Sequence, residues 1–266
     1  MRILLTNDDG IHAPGFQVLE EIARQLSDDL WVVAPLEEQS GAGHSLSLSH
    51  PVRMQQFGER RFGVRGTPTD CVMMALGRII EGPKPDLILS GVNRGANLAE
   101  DVTYSGTVSA AMEGTLAGIP SVALSQAAVG RPSGPDAFDA ARRHAVPVLK
   151  TLLAAGWPQN VLININFPPC PAADVRGVRV TQQGFRDYGN PIIEERSDVR
   201  GFTYYWFGLG REVLEPGQET DLKAMRENHV SVTPLHLDLT HRGSMSALAD
   251  AFATSGLAAA FRGKAG

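Results

Sequence analysis

Cysteine is scarce in this sequence of 266 residues, which contains only Cys71 and Cys170. Their spacing fits neither a zinc motif nor a disulfide framework, so small metal-bound or cross-linked folds are excluded. No apolar run is long enough to cross a bilayer, so we expect no membrane partner. Few cysteines and no disulfide pattern favour a protein of the reducing cytoplasm.

An excess of positive charge is also missing. The chain has 24 Lys and Arg residues against 29 Asp and Glu residues, and its formal net charge is −5. A general nucleic-acid binder needs a basic face, so we expect no nucleic-acid polymer as a partner. A small anionic ligand is still compatible, because a metal ion or a helix N-terminus supplies local positive potential.

Three common catalytic motifs are absent from the sequence. No G-x-x-x-x-G-K-[ST] occurs, which excludes a Walker-type nucleotide site. No G-x-G-x-x-G follows the first predicted strand, and no G-x-S-x-G elbow is present. The first acids of the chain are adjacent rather than spaced as D-x-D, which argues against a phosphoaspartate mechanism.

Strands and helices alternate along the first part of the chain. Apolar runs predict strands at 2–6, 30–35, 85–91, 120–125 and 161–168, and helical periodicity predicts helices at 15–27, 67–80, 104–118 and 134–156. This alternation predicts an α/β fold, a Rossmann-like, doubly wound and mostly parallel sheet. We expect residues 1–170 to form that core as one domain.

Two stretches depart from the alternation. Residues 46–65 have the short pattern of hairpin strands, which we expect to be an insertion. Residues 171–266 change to β segments, with an aromatic cluster at 202–208 and a helical tail at 244–261. We expect a C-terminal extension that contains a β-hairpin and helices.

Asp8 and Asp9 stand side by side just after the first buried strand, and Gly10 follows them. At about 4 Å, two carboxylates repel by about 1 kcal/mol in water and by about 4 kcal/mol near a protein surface. A divalent cation between them removes this repulsion, and hard cations such as Mg²⁺ take oxygen ligands. The alternative is a pair of turn-forming or helix-capping acids, which are common in such loops.

Three other loops carry polar groups at equivalent places. Ser40 lies in a Gly-rich loop after the second strand, and Asn93 and Asn97 lie in a Gly/Asn loop after the 85–91 strand. Ser105, Gly106 and Thr107 stand at a helix start, where free N–H groups favour an anion. Each loop alone fits a plain turn or a close-packed helix. Together at one sheet edge they indicate metal-assisted chemistry on a phosphate.

With these residues assembled, the chain resembles the survival protein E (SurE) family of nucleotidases. The matching stretches occur in order from the first residues to about Thr240, and they are ILLTNDDGIHAPG, VVAPLEEQSGAGHSLS, GTPTDCV, DLILSGVNRGANL, YSGTVSAAMEGTLAGIPSVALS and HVSVTPLHLDLT. The combination of TNDDG, SGVNRGAN and YSGTV is hard to obtain by chance.

The resemblance implies a metal-dependent phosphomonoesterase that converts nucleoside monophosphates to nucleoside and inorganic phosphate. It implies one divalent cation per subunit, Mg²⁺ or Mn²⁺, with Asp8, Asp9, Ser40 and Asn93 as ligands. Asp8 and Asp9 are the predicted catalytic residues, and Asp9 is the predicted acceptor of the water proton. The predicted phosphate-binding residues are Asn97, Ser105, Gly106 and Thr107.

The resemblance also implies a homodimer or homotetramer in which the hairpin around 202–207 joins subunits. Several alternatives stay open at this point. A nucleotide-sensing module without catalysis would use the same loops, and 3′-nucleotidase or exopolyphosphatase activity would leave no distinct motif. His12 and His44 also lie in these loops, where either is a candidate proton donor or an ordinary surface residue.

Overall fold

The computed structural model describes residues 1–128, 135–186, 192–208 and 219–255. Within these ranges the strands are β1 (Ile3–Thr6), β2 (Leu30–Pro35), β3 (Arg53–Gly58), β4 (Arg61–Arg65), β5 (Leu87–Arg94), β6 (Ser121–Gln126), β7 (Val161–Phe167), β8 (Gly177–Val180), β9 (Ile192–Ser197), β10 (Thr203–Gly208) and β11 (His229–His236). The α-helices are α1 (Pro14–Arg24), α2 (Pro68–Met74), α3 (Gly106–Leu116), α4 (Asp139–Ala155), α5 (Asp221–Arg226) and α6 (Met245–Thr254).

The main sheet has a reversal of strand order at β1. In the described residues its nine strands run β3-β4-β2-β1-β5-β6-β7-β11-β8. The chain goes from β1 to β2 on one side and later returns to β5 on the other, and β1 pairs in parallel with both. In sheets of this kind ligands bind outside the carboxyl ends of the strands at such a reversal.

The core lies on both faces of this sheet. On one face Ile3 and Leu5 of β1 pack in a buried cluster with side chains of α1 and α4. On the other face Leu4 packs in a second cluster with Val72 of α2 and Ala110 of α3. Because β1 is covered on both faces, its sequence is a continuous apolar run and does not alternate between apolar and polar residues. The predicted doubly wound α/β fold is thereby confirmed.

The hairpin predicted in residues 46–65 forms as β3 and β4, but it is not an insertion. β4 pairs in parallel with β2, so the hairpin extends the main sheet. The reason is burial, because Phe62 and Val64 of β4 join the same apolar cluster as Val33 of β2.

The helix predicted at 67–80 begins as expected and ends differently. Thr67 caps it, Pro68 occupies its first turn, and a capping box links the side chains and backbone N–H groups of Thr67 and Asp70. α2 then changes to a π-helical turn over Ala75–Ile79.

Part of the chain after residue 170 also enters the main sheet, as β8 and β11, which pair in parallel. The aromatic stretch forms the predicted hairpin, since β9 and β10 pair antiparallel from Ile192↔Gly208 to Ser197↔Thr203. By its internal contacts the chain divides into one compact unit, Met1–Leu235, and a second that starts at His236 and contains α6. The predicted boundary at residue 170 stays a prediction, and the predicted tail helix beyond residue 255 lies outside the described residues.

Among the described residues, none of the helices combines the length and the apolar character that a membrane crossing requires.

Asp70 provides a test of how α2 is anchored. Its carboxylate accepts hydrogen bonds from the backbone N–H groups of Ser47 (3.0 Å) and Thr67 (2.8 Å) and from the Ser47 hydroxyl (2.6 Å). We expect Asp70→Ala to lower the free energy of unfolding by about 1–3 kcal/mol at neutral pH, measured by urea denaturation. Asp28→Ala, at an exposed carboxylate, is the control and changes it by no more than about 0.5 kcal/mol.

The difference in the free energy of unfolding between wild type and Asp70→Ala depends on pH through the pKa of Asp70. Burial alone raises that pKa, but the hydrogen bonds from Ser47 and Thr67 outweigh it and leave the pKa below its ordinary value. The contribution of Asp70 is therefore complete above about pH 3.9, the unfolded value, and is lost as the pH falls through the lower folded pKa. A difference between wild type and Asp70→Ala that stays constant throughout this acid range would contradict the assignment.

Candidate active site

Four segments meet at the edge of the sheet where the strand order reverses. Asp8 and Asp9 follow β1 after Asn7, Ser40 lies in the segment after β2, Asn93 is the penultimate residue of β5, and α3 begins at Gly106. Hydrogen bonds join Asp8 to the Ser40 segment and to α3, and join Asp9 to the end of β5. The structure therefore brings these four segments together at the two aspartates.

Asp8 is buried, with 4% of its surface exposed, and is held by two other segments. The hydroxyl of Thr107, in the first turn of α3, donates a hydrogen bond to Asp8 Oδ1. The backbone carbonyl of Asp8 accepts a hydrogen bond of 2.8 Å from the N–H of Gln39, in the segment that carries Ser40. A Cβ on Gly106 would lie 2.7 Å from the Asp8 Cβ, so only glycine allows α3 this close.

Asp9 is held by the end of β5. Its Oδ2 accepts a hydrogen bond of 3.0 Å from the backbone N–H of Arg94. Burial raises the pKa of Asp9, the hydrogen bond and charge of Arg94 oppose this, and the charge of Glu38 adds to the rise, so the net shift is upward. The two atoms Arg94 Nη2 and Glu38 Oε1 are 3.9 Å apart, which links the Ser40 segment to β5 beside Asp9.

The electrostatics of Asp8 are unfavourable for a lone carboxylate. Burial raises its pKa to about 6, the hydrogen bond from Thr107 lowers it, and the neighbouring charge of Asp9 raises it. Both acids of the pair therefore bear a cost in their ionised forms. A divalent cation would remove that cost, because it replaces lost hydration and cancels the mutual repulsion. The pair thus fits a metal site in its chemistry.

The remaining predicted ligands supply neutral oxygens. Ser40 is exposed, and its hydroxyl donates a hydrogen bond of 2.8 Å to Glu38 Oε1. The Asn93 Nδ2 donates a bond of 2.9 Å to the Gly95 carbonyl, which fixes the amide and directs Oδ1 away from that contact. Within the part of the chain that the structure describes, no three His, Cys, Asp or Glu side chains group as a metal site. A cation here would need these neutral oxygens beside the two carboxylates.

An irregularity in β5 determines where Asn93 lies. The sequence predicted that the strand ends at residue 91, but pairing with β6 continues to Arg94. Ser90 faces Ala123 and Asn93 faces Ser125, so β5 contains one extra residue between these pairs. Gly91 makes this possible, because its φ is +134° and a Cβ there would lie 2.2 Å from the Leu124 carbonyl oxygen.

The predicted phosphate-binding residues are partly committed to contacts within the protein. Asn97 is buried, and its Nδ2 donates a bond of 2.8 Å to the Ser125 hydroxyl. The Ser105 hydroxyl accepts the N–H of Val108 at 3.1 Å as the N-cap of α3, and the Thr107 hydroxyl is bound to Asp8. What α3 presents to an anion is therefore its first-turn backbone, including the N–H of Gly106.

His12 and His44, the two candidate proton donors, have different neighbours in the structure. His12 packs edge-on against Phe57, with ring centroids 5.4 Å apart. His44 Nε2 lies 3.1 Å from Glu113 Oε2 on α3. A role as proton donor for either of them stays a prediction.

Sequence reasoning missed Arg94 and Glu38. Both lie next to predicted ligands, in VNRG and LEEQS, so they were visible as charged neighbours. Their effect on Asp9 depends on a backbone N–H and on the approach of two loops, which no local pattern encodes.

Comparisons with known proteins show which proteins this chain is similar to. The model of the family described as survival protein SurE matches residues 3–190. A protein of Erythrobacter litoralis named 5′-nucleotidase SurE is 59% identical over 254 residues, which cover 95% of this chain and 100% of the relative. One of Parvibaculum lavamentivorans with the same name is 55% identical, over 96% of this chain and 92% of the relative. The crystal structure of the SurE protein from Aquifex aeolicus has a TM-score of 0.79 and 40% identity, over 93% of this chain and 98% of that one.

The raised pKa of Asp8 can be measured directly. In protein free of divalent cations we expect its carboxyl to titrate at about 6, followed by ¹³C NMR and assigned with Asp8→Asn. Thr107→Val removes a hydrogen bond that favours the ionised form, so the pKa of Asp8 rises further. Thr115→Val is the matched control, because it removes a buried hydroxyl that bonds only the Ala111 carbonyl among its described contacts.

Two results would contradict this account of Asp8. One is an ordinary midpoint, at or below about pH 4, in the wild-type protein. The other is a Thr107→Val variant in which the pKa of Asp8 is unchanged or lower.

Proposed function

The chain belongs to the survival protein SurE family and is a 5′-nucleotidase, and from this premise we propose which residues carry out the hydrolysis. Asp8, Asp9, Ser40 and Asn93 bind one divalent cation per chain, Mg²⁺ or Mn²⁺. Asn97, Ser105, Gly106 and Thr107 bind the phosphate of a nucleoside monophosphate. The observation that supports this most is the pair of adjacent carboxylates, buried Asp8 and partly buried Asp9, beside the N-terminus of α3 at the strand reversal.

The cation, when bound, polarises the phosphoryl oxygens and neutralises developing charge. The protein's part is to hold Asp8 and Asp9 in place without it. Thr107 fixes the orientation of Asp8 through its hydroxyl, and Arg94 fixes Asp9 through its backbone N–H. Because these bonds come from the protein itself, the ligand pair is preorganised.

The phosphate lies against the first turn of α3. The N–H groups there and the positive end of the helix dipole stabilise its negative charge, which increases in the transition state. Gly106 contributes because it has no side chain, which lets Asp8 lie directly against this first turn. Ser105 contributes by capping the helix, and its hydroxyl keeps the first turn in place.

Asp9 accepts the proton of the attacking water. Its Oδ2 is already bound to the Arg94 N–H, so Oδ1 is the atom that takes the proton. The products are the nucleoside and inorganic phosphate.

The hairpin joins copies of the chain in a homodimer or homotetramer. Its strands β9 and β10 expose large apolar side chains, among them Ile193, Trp206 and Phe207. Exposed apolar surface of this kind is typical of a protein interface. The extension of residues 171–266 is thus assigned to assembly, and the two free cysteines, Cys71 and Cys170, fit a cytoplasmic protein.

Hydrolysis of a panel of 5′- and 3′-nucleoside monophosphates and polyphosphate tests the proposal, with released phosphate as the readout. We expect 5′-monophosphates to be hydrolysed with Mn²⁺ or Mg²⁺ and not after chelation. Asp8→Asn keeps the shape of the side chain and removes its charge, so kcat falls by at least about 100-fold. Asp28→Asn, at an exposed carboxylate, is the control and keeps full activity.

The residue assignment is wrong if Asp8→Asn retains wild-type turnover with metal present. Full activity of the wild-type protein in excess chelator would contradict the proposed dependence of hydrolysis on a divalent cation.

A further inference from the structure

Ala99 has an unusual backbone conformation close to the candidate site. Its φ is +52°, in the left-handed region that residues other than glycine seldom adopt. It lies two residues after Asn97 and opens the short 3₁₀ turn Ala99–Thr103, which leads to Ser105 and α3. A non-glycine residue keeps such a conformation only where its surroundings enforce it.

Two distant side chains hold both polar backbone atoms of Ala99. Its N–H donates a hydrogen bond of 2.8 Å to Asp221 Oδ2, at the first position of α5. Its carbonyl accepts a bond of 3.0 Å from Gln183 Nε2. Ala99 and Asp221 are both fully buried, so water does not compete for the bond between them, whereas Gln183 is exposed.

The carboxylate of Asp221 accepts hydrogen bonds from three backbone N–H groups. Its Oδ1 accepts bonds from Gly184 (2.8 Å) and Leu222 (2.7 Å), while Oδ2 accepts the bond from Ala99. Burial raises the pKa of Asp221, and the three N–H bonds and the charge of Arg186 only partly offset the rise. A buried carboxylate in this position has a cost, and its visible effect is to fix Ala99 relative to residues 184 and 222.

The neighbouring Asn97 is held in a similar way from β7. Its N–H donates to Asn166 Oδ1 (2.8 Å), and its carbonyl accepts bonds from Asn164 (2.8 Å) and Asn166 (3.0 Å). On the other side of Ala99, the N–H of Ser105 bonds the carbonyl of Asp101 at 3.0 Å. The backbone from 97 to 105 is therefore held at successive points, and Ala99 is the point where its direction changes.

We propose that Asp221 is a positioning residue for hydrolysis, which holds Ala99 in its left-handed conformation and so sets the places of Asn97 and Ser105. This inference rests on the proposed function of those two residues. Gln183 supports the same conformation through the carbonyl of Ala99. The positioning comes from the part of the chain after residue 170, which otherwise contributes no residue to the proposed site.

Asp221→Asn tests this with little change in shape. The amide has one oxygen, which can keep the bonds to Gly184 and Leu222, but its NH₂ then faces the N–H of Ala99, donor against donor. We expect kcat/KM for a nucleoside 5′-monophosphate to fall by about tenfold or more, because small misplacements of a site have large effects on rate. Binding of inorganic phosphate, measured by calorimetry in the presence of Mn²⁺, weakens in parallel.

Replacement of Ala99 by glycine separates positioning from general stability. Glycine adopts a positive φ without strain, so Asp221→Asn with Ala99→Gly regains at least about threefold in kcat/KM over Asp221→Asn alone. Activities are compared at a temperature where circular dichroism shows every variant fully folded, so that a difference in stability does not account for the loss or for the recovery. Ala99→Gly alone is the reference for the double variant.

Asp139→Asn is the matched control, since Asp139 Oδ2 accepts a bond of 2.8 Å from the Ala172 N–H outside the 97–105 segment. It keeps wild-type activity. If Asp221→Asn does not fold, Gln183→Leu removes the bond to the Ala99 carbonyl and shows the same loss and the same recovery with Ala99→Gly.

The inference is overturned if the folded Asp221→Asn variant, or Gln183→Leu in its place, keeps kcat/KM within twofold of wild type. It is overturned equally if Ala99→Gly restores nothing. Inactivity of the wild-type protein in the same assay would instead refute the proposed function, and with it this inference.

Discussion

The repulsion between two neighbouring carboxylates, one buried and one partly buried, is the interaction on which the rest of this site depends. Asp8 and Asp9 follow a strand that is covered on both faces, and burial raises the pKa of each acid. Isolated burial of such a pair costs several kcal/mol and is tolerated in proteins only with compensation. Within the described residues, the Thr107 hydroxyl and the N–H and charge of Arg94 compensate only part of this cost, because the pKa of each acid stays above its ordinary value. A divalent cation bound by both carboxylates would supply the rest of the compensation.

The fold supplies this geometry through its strand order. Because the chain leaves β1 in one direction and returns to β5 on the other side, α1 after β1 and α3 after β5 pack on opposite faces of the sheet, and ligands bind at such a reversal. The Ser40 segment closes against Asp8 through Gln39, and α3 approaches because residue 106 has no side chain. Farther from the carboxylates, Asp221 and the asparagines of β7 hold the backbone between Asn97 and Ser105. One set of contacts thus fixes the two carboxylates, and a second set fixes the loop from Asn97 to Ser105.

Much of this was predictable from the sequence because it depends on local patterns. The apolar runs of β1, β2 and β5 to β7 and the Thr67 cap of α2 were visible as such, and so were the acids and asparagines after the strands. Long-range pairing was not visible. The parallel register of β4 against β2 made a supposed insertion part of the sheet, and one extra residue in β5 moved Asn93 onto a strand. The bond between Ala99 and Asp221 joins residues 122 positions apart, which no periodicity reports.

Calorimetric titration of the metal-free protein with Mn²⁺ tests the central claim most directly. The account predicts saturable uptake of one ion per chain by the wild-type protein at neutral pH. It predicts that Asp8→Asn combined with Asp9→Asn abolishes this uptake while the protein stays folded, as circular dichroism would show. Equal Mn²⁺ binding by the wild type and the double variant, or no binding by either, would contradict the claim that a bound cation compensates this pair of carboxylates.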